Sequence, residues 1–364
     1  MPYPDEFEGF MIDELGEHTK FKRRTFKPKV FGDHDVDIQI ECCGVCGSDV
    51  HTVTGGWGDA PTPLCVGHEI IGKAVKVGSK VADVRPGDRV GVGAQIWSCL
   101  RCQQCEGDNE NYCPKMVDTY GAPYPPEADP HGTVSQGGYS SHIRAHEYFV
   151  FPIPDAIPSH MAAPMLCAGL TVWSPLVRAG IGPGKKVAVA GLGGLGHFAV
   201  LWAAALGAEV TVLSHSPRKE ADARQLGAAQ FVSTAAEGWA GPLAFAFDLV
   251  LNTADATDRF AIGDYLSVLK VGCQFHQVGL PDKALPRLKP QMFMANGSSI
   301  GASHIGSRPE CLAMLRLAAE KKLTPRVETL PVSEKGCAEA IERVVKGDVR
   351  YRFTLVDYDK AFKV

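Results

Sequence analysis

Two textures divide the chain. Up to about Pro158, apolar residues come in short runs broken by glycine and proline, as in "VDIQI" at 36–40 and in the stretch 70–92 that opens "IIGKAVKVG". Short runs of that kind predict strands, and Pro86-Gly87-Asp88 within "VRPGDRV" supplies a turn between two of them. This part is expected to be a small-stranded, barrel-like β region. Beyond Pro158 the period changes. "GKKVAVAGLGGLGHFAVLWAAALGAEVTVLSHS" (184–216) predicts a buried strand, a glycine turn, an Ala-rich helix beginning near His197 and a second strand. "FDLVLNTA" (247–254) and "GCQFHQVGL" (272–280) continue the alternation, which predicts a parallel, doubly wound sheet. A helical stretch over 309–322 and a strand within "RYRFTLVDY" (350–358) return to mixed character. The expected fold class is α/β. A β-rich domain over 1–158, completed by 304–364, surrounds an inserted cofactor domain over 159–303.

Composition narrows the partners. At 364 residues the chain is long enough for two cores, and 21% charged against 45% hydrophobic residues describes a soluble globular protein. A formal net charge of −4 with no basic run argues against nucleic acid. The start "MPYPDEFEGF" has neither a basic n-region nor an apolar h-region, so no secretory signal is expected. No apolar stretch approaches the roughly 18 residues of a membrane span. A cytoplasmic location follows as the expectation, with thiols kept reduced and clustered cysteines acting as ligands or catalysts rather than disulfides.

That expectation bears on "CLRCQQCEGDNENYC". Cys99, Cys102, Cys105 and Cys113 are spaced C-x2-C-x2-C-x7-C, so one loop can wrap four thiolates around a tetrahedral ion. Iron–sulfur ligation uses similar runs, but nothing else here resembles an electron-transfer module. A structural zinc with no open position is the expected occupant. The bare spacing also allows a zinc-ribbon interaction module with a nucleotide-sensing glycine loop.

Gly191, Gly193 and Gly196, with Gly194 and Leu195 between them, form G-x-G-x-x-G between a predicted strand and a helix. In that context the turn approaches a pyrophosphate and the helix N-terminus attracts its charge. An acid about 20 residues further on would select NAD. Here the second strand ends in Ser214, followed by His215, Ser216, Arg218 and Lys219. Hydroxyls and cations suit a 2′-phosphate, so NADP(H) is expected, although Arg218 and Lys219 also fit a solvated helix start.

Three islands remain: "CGVCGSDVH" (43–51), "GHE" (67–69) and "LCAG" (166–169). They hold Cys46, His68, Glu69 and Cys167, and spacing alone leaves open whether these meet at a metal or merely pack. Together with "GHEIIGKAVKVG", "GDRVGVGAQ", the four-cysteine run, "QGGYSSH", "GLGGLGH" and "KGDVRYRF", they carry a resemblance over nearly the whole chain. The sequence resembles the zinc-dependent medium-chain alcohol dehydrogenases, most closely the NADP-dependent cinnamyl alcohol dehydrogenase-type branch. Met165-Leu166-Cys167 departs mildly from the branch's pattern and keeps the cysteine.

The resemblance implies a GroES-like catalytic domain, a Rossmann domain and two zinc ions per subunit. The catalytic ion would be held by Cys46, His68 and Cys167 with Glu69 beside it, and the structural ion by the four-cysteine knot. It implies reversible reduction of aldehydes by NADPH to primary alcohols, with Ser48 and His51 relaying the proton. Trp57, Trp97, Met116 and Tyr120 are candidates for an aromatic wall around a cinnamyl-type or other hydrophobic substrate, or equally for core. A medium-chain reductase of iminium or α,β-unsaturated substrates is the alternative, expected to lack part of the relay or ligand set. A homodimer is implied too, with "MFMANGSSIGAS" (292–303) as a pairing strand. The remaining Cys42, Cys43, Cys65, Cys273, Cys311 and Cys337 are expected to be small buried hydrophobes.

Overall fold

A computed structural model describes residues 4–255, 257 and 260–363, so the first three residues of the acidic start lie outside the described residues. The chain divides into two compact units, 1–167 with 307–364, and 168–306.

The first unit is built on a seven-stranded sheet. Its main path runs Val327–Pro331, Arg352–Val356, Asp35–Val45, Ile70–Val77, Arg89–Val92 and Phe151–Pro152, and His142–His146 also pairs with Asp35–Val45. The central strand Asp35–Val45 carries Val36, Ile38, Ile40, Cys43 and Val45 into the core, all at most 2% exposed. Arg89–Val92 forms one short strand, in which Gly91 lies so close to Leu166 and Ile71 that a β-carbon there would clash.

The second unit is a six-stranded parallel sheet in the order Gln230–Ser233, Glu209–Ser214, Lys186–Ala190, Phe247–Asn252, Leu269–Gln277, Ser299–Ala302. Val187, Ala188, Val189 and Ala190 are buried on both faces, which is why they read as an unbroken apolar run. The glycine turn then feeds the helix Gly196–Ala205. Of the expected pairing segment 292–303, only Ser299–Ala302 is a strand, and it stands last in this sheet.

The expected domain boundaries, 158/159 and 303/304, move to 167/168 and 306/307. The reason is burial. Residues 159–166 form a short helix and a 3-10 turn whose Ala162, Ala163, Met165 and Leu166 are wholly buried in the first unit. Thr354 Oγ1 also donates to the His160 carbonyl at 2.8 Å. The chain re-enters the first unit at Ser307, cap of the helix Arg308–Glu320, whose N–H meets Glu310 Oε2 at 2.8 Å. The same helix start is bound from outside, since the Arg308 N–H donates to the carboxylate of Glu110, between Cys105 and Cys113. Among the described residues, no single helix is long and apolar enough to cross a membrane.

Candidate active site

The strand Asp35–Val45 delivers Cys46 to the start of the helix Gly47–Thr54, and the first turn of that helix organises the site. Asp49 is fully buried. Its Oδ2 accepts the Cys46 N–H at 2.8 Å, while Oδ1 accepts the Gly67 N–H at 3.1 Å and lies 3.0 Å from His68 Nδ1. One carboxylate therefore ties two distant loops together. It also holds the His68 ring with Nε2 turned toward the sulfurs, 3.1 Å from Cys167 Sγ. Cys46 Sγ and Cys167 Sγ are 4.0 Å apart.

Glu69 completes the cluster from the other side. One of its oxygens pairs with the Arg352 guanidinium, while Oε2 has no hydrogen-bond partner. A β-carbon at Gly44 would fall 2.0 Å from that oxygen, so only glycine leaves it room. Ligand atoms of Cys46, His68, Glu69 and Cys167 all lie within 4.8 Å of one another, and all four residues are buried. Zinc bond lengths imply N···S and S···S edges of about 3.5 and about 3.8 Å in a tetrahedral shell, close to the separations here. The donor set fits a catalytic zinc, with two sulfurs, one imidazole and a neighbouring carboxylate.

Burial and neighbouring charges shift all four groups. The Cys167 hydrogen bond and the Arg352 charge hold the Cys46 thiol well below the ordinary thiol range, against burial. Pairing with Cys46, together with burial, pushes Cys167 up. Burial would lower His68, but Asp49 outweighs it and the imidazole lies well above its usual range. Burial raises Glu69 to about 7 despite Arg352.

Of the other expected participants, Ser48 lies 3.6 Å (Oγ) from Cys46 Sγ. His51 sits on the same helix and stacks on Trp57, with ring centroids 4.8 Å apart. The wall candidates separate. Trp97 is in the core, Met116 is half-buried, and the Tyr120 ring lies 5.6 Å from that of His68 with its hydroxyl 3.5 Å from Thr52 Oγ1.

The four cysteines of the knot also converge. Cys102 and Cys105 sulfurs are 3.5 Å apart, as are those of Cys99 and Cys113, and all four lie within 4.8 Å of one another. Those separations suit a shared tetrahedral ion and are too long for a disulfide bond. Of the six remaining cysteines, only Cys273 is not fully buried.

In the second unit, Gly191 takes φ +86°, and a β-carbon at Gly196 would fall 2.2 Å from the Gly191 carbonyl oxygen. A β-carbon at Gly193 meets nothing within 4 Å, leaving backbone open to approach. Gly194 and Leu195 lead into the helix. At the tip of the neighbouring strand, Ser214 Oγ lies 3.4 Å from the Ser216 carbonyl, and Arg218 Nε donates to Ser216 Oγ at 3.3 Å. Lys219 Nζ reaches back to the Leu192 carbonyl at 2.7 Å, so its ammonium stands at the glycine turn. The cradle fits a dinucleotide with a cation at its adenosine side.

Family models match on both sides of this description. One described as "Alcohol dehydrogenase GroES-like domain" covers residues 32–155, and one described as "Zinc-binding dehydrogenase" covers 194–320. NADP-dependent alcohol dehydrogenase 6 of Saccharomyces cerevisiae is 49% identical over 365 residues, spanning 100% of this chain and 99% of that protein. The chain belongs to the zinc-binding alcohol dehydrogenase family. Cinnamyl alcohol dehydrogenase 3 of Arabidopsis thaliana is 40% identical over 94% of this chain and 89% of its own length. Among solved structures, a cinnamyl alcohol dehydrogenase from Sorghum bicolor superimposes with a TM-score of 0.89 at 36% identity, covering 96% of this chain and 97% of that one. The fold of this family, a GroES-like unit with a Rossmann-like parallel sheet, is the one found here.

Two residues of the site escaped the sequence reading. Asp49 carried a signal, being a carboxylate three residues after Cys46, as in a helix cap. Arg352 carried almost none, because its partner lies 283 positions away.

Proposed function

We propose that the protein is a zinc-dependent, NADP(H)-linked alcohol dehydrogenase that reversibly reduces cinnamyl-type and other hydrophobic aldehydes to primary alcohols. One observation carries the reading: two buried thiols and an imidazole oriented by Asp49 converge beside the hydroxyl of Ser48. Cys46, His68 and Cys167 would hold the catalytic zinc with Glu69 beside it, and the four-cysteine knot a second ion.

When bound, zinc polarises the substrate oxygen and the nicotinamide carries the hydride. The chain's own residues bind, orient and move protons. Asp49 sets the His68 tautomer. Ser48 Oγ accepts the hydrogen bond of the reacting hydroxyl, and His51, one helical turn further on, exchanges that proton with solvent. The Tyr120 ring beside His68 supports an aromatic substrate wall. At the cofactor's far end, Ser214, Ser216, Arg218 and Lys219 favour a 2′-phosphate. The relative named NADP-dependent, at 49% identity, supports the same preference. A cytoplasmic homodimer is part of the reading.

The test is a panel of cinnamyl, benzyl and aliphatic aldehydes with NADPH and with NADH, alongside metal analysis of the purified protein. Expected are NADPH oxidation fastest with aromatic aldehydes and two zinc equivalents per chain. No turnover with any aldehyde, or only one equivalent held by the knot, overturns the proposal.

A further inference from the structure

The parallel sheet reverses its winding between Lys186–Ala190 and Phe247–Asn252, with Glu209–Ser214 on one side of that crevice and Leu269–Gln277 on the other. Ligands of such sheets bind outside the carboxyl ends of the strands at this point. The Ser214 side is the adenosine half, which leaves the ends of Phe247–Asn252 and Leu269–Gln277 for the nicotinamide half. Both strands finish on a buried amide side chain. Asn252 is wholly buried, Gln277 is 7% exposed, and the two are register partners.

The two amides form a directed chain. Asn252 Nδ2 donates to Gln277 Oε1 at 2.7 Å, and Gln277 Nε2 donates onward to the Gly279 carbonyl at 2.5 Å. In the other direction Asn252 Oδ1 accepts the Ala254 N–H at 3.3 Å. Backbone bonds reinforce this, since the Asn252 carbonyl accepts the Val278 and Gly279 N–H groups at 3.0 and 3.2 Å. Thr253 Oγ1 then bonds the carbonyls of Ala190 and Gly191 at 2.9 and 3.0 Å.

Ala254 is wedged by these contacts. A β-carbon at Gly191 would fall 3.2 Å from it, and one at Gly279 would fall 2.5 Å from its carbonyl oxygen. The spacing between the phosphate-binding turn and the next two strand ends is thus set by side-chain amides, in a place where apolar side chains would hold no direction.

We infer that Asn252 and Gln277 are positioning residues for the nicotinamide half of the cofactor, acting through the backbone of Ala254 and Gly279. The inference rests on the NADP(H) reading above. It assigns the pair no contact with the reacting atoms.

Two variants test it in the zinc-loaded enzyme. N252A removes both bonds of the amide. Q277E keeps the acceptor for Asn252 Nδ2 but sets a carboxylate against the Gly279 carbonyl. Expected is a rise of about tenfold in the Kd of NADPH and of NADH alike, by fluorescence titration, as for loss of one to two buried hydrogen bonds. The NADPH-to-NADH ratio stays at the wild-type value, because the Ser214–Lys219 edge is untouched. Amide exchange at Ala254 and Gly279 quickens, and the KM for aldehyde is unchanged. An unchanged Kd in whichever variant retains a cooperative wild-type-like melt overturns the inference, as does a change confined to NADPH. Wild-type enzyme that binds neither cofactor overturns the underlying reading instead.

Discussion

Arg352 and Glu69 form an ion pair with 5% and 0% of their side chains exposed, directly behind the Cys46–His68–Cys167 cluster. The strand Arg352–Val356 pairs with the end of Asp35–Val45, which brings the Arg352 guanidinium to the segments that carry Cys46 and Glu69. The pair fixes one carboxylate oxygen and leaves the other against Gly44.

Removing one partner of a buried pair strands the other charge. R352M should therefore destabilise the protein by about 3–5 kcal/mol, and the double variant R352M/E69M should recover most of that loss. Urea unfolding of the three proteins measures both numbers.

Asp49 makes a different prediction, because its carboxylate both ties the Cys46 and Gly67 loops together and orients the His68 ring. On the proposed two-zinc reading, D49N should weaken binding of the ion at Cys46, His68 and Cys167 by about 10- to 100-fold and leave the knot's ion unaffected. Competition with a chromophoric chelator resolves the two equivalents.

Cofactor choice should turn on the strand tip. S214D sets a carboxylate where the 2′-phosphate is expected, and like charges in contact cost several kcal/mol. NADPH affinity should fall by about tenfold or more, and NADH affinity should hold or rise as the acid engages the ribose hydroxyl. Titration of both cofactors decides it.

At the opposite end of the parallel sheet, Asp248 accepts from Lys270 Nζ at 2.7 Å, the Lys186 N–H at 2.9 Å and Lys185 Nζ at 3.3 Å. Burial alone would raise its pKa, but these donors lower it below 3.8. A depressed carboxyl stabilises above its unfolded pKa and loses that contribution as pH falls through the folded value. D248N should cost about 1–3 kcal/mol at pH 7, and its deficit against wild type should narrow below about pH 4. Urea titrations at both pH values check the sign.

The legible parts of the chain were those where chemistry is local. The knot compresses four cysteines into fifteen residues, and G-x-G-x-x-G sits between a strand and a helix, so each carries its own context. The meeting of Cys46, His68 and Cys167 was expected only through resemblance, because three segments far apart in sequence converge, two of them tied by Asp49, and no spacing encodes that. Residues 159–166 were assigned to the wrong unit because an apolar, alanine-rich run looks the same whichever core buries it. Trp97 and Tyr120 could not be sorted for a similar reason, since an aromatic ring gives no sign in sequence of whether it faces core or ligand.

Glu110, seated among the knot's cysteines, holds the first peptide of the helix on which the chain comes home from its inserted unit. On the two-zinc reading, a chelator that strips the knot would also release the Arg308 N–H from Glu110 and loosen a helix start 198 positions downstream. Zinc supply during expression would then bear on chain integrity as well as on turnover.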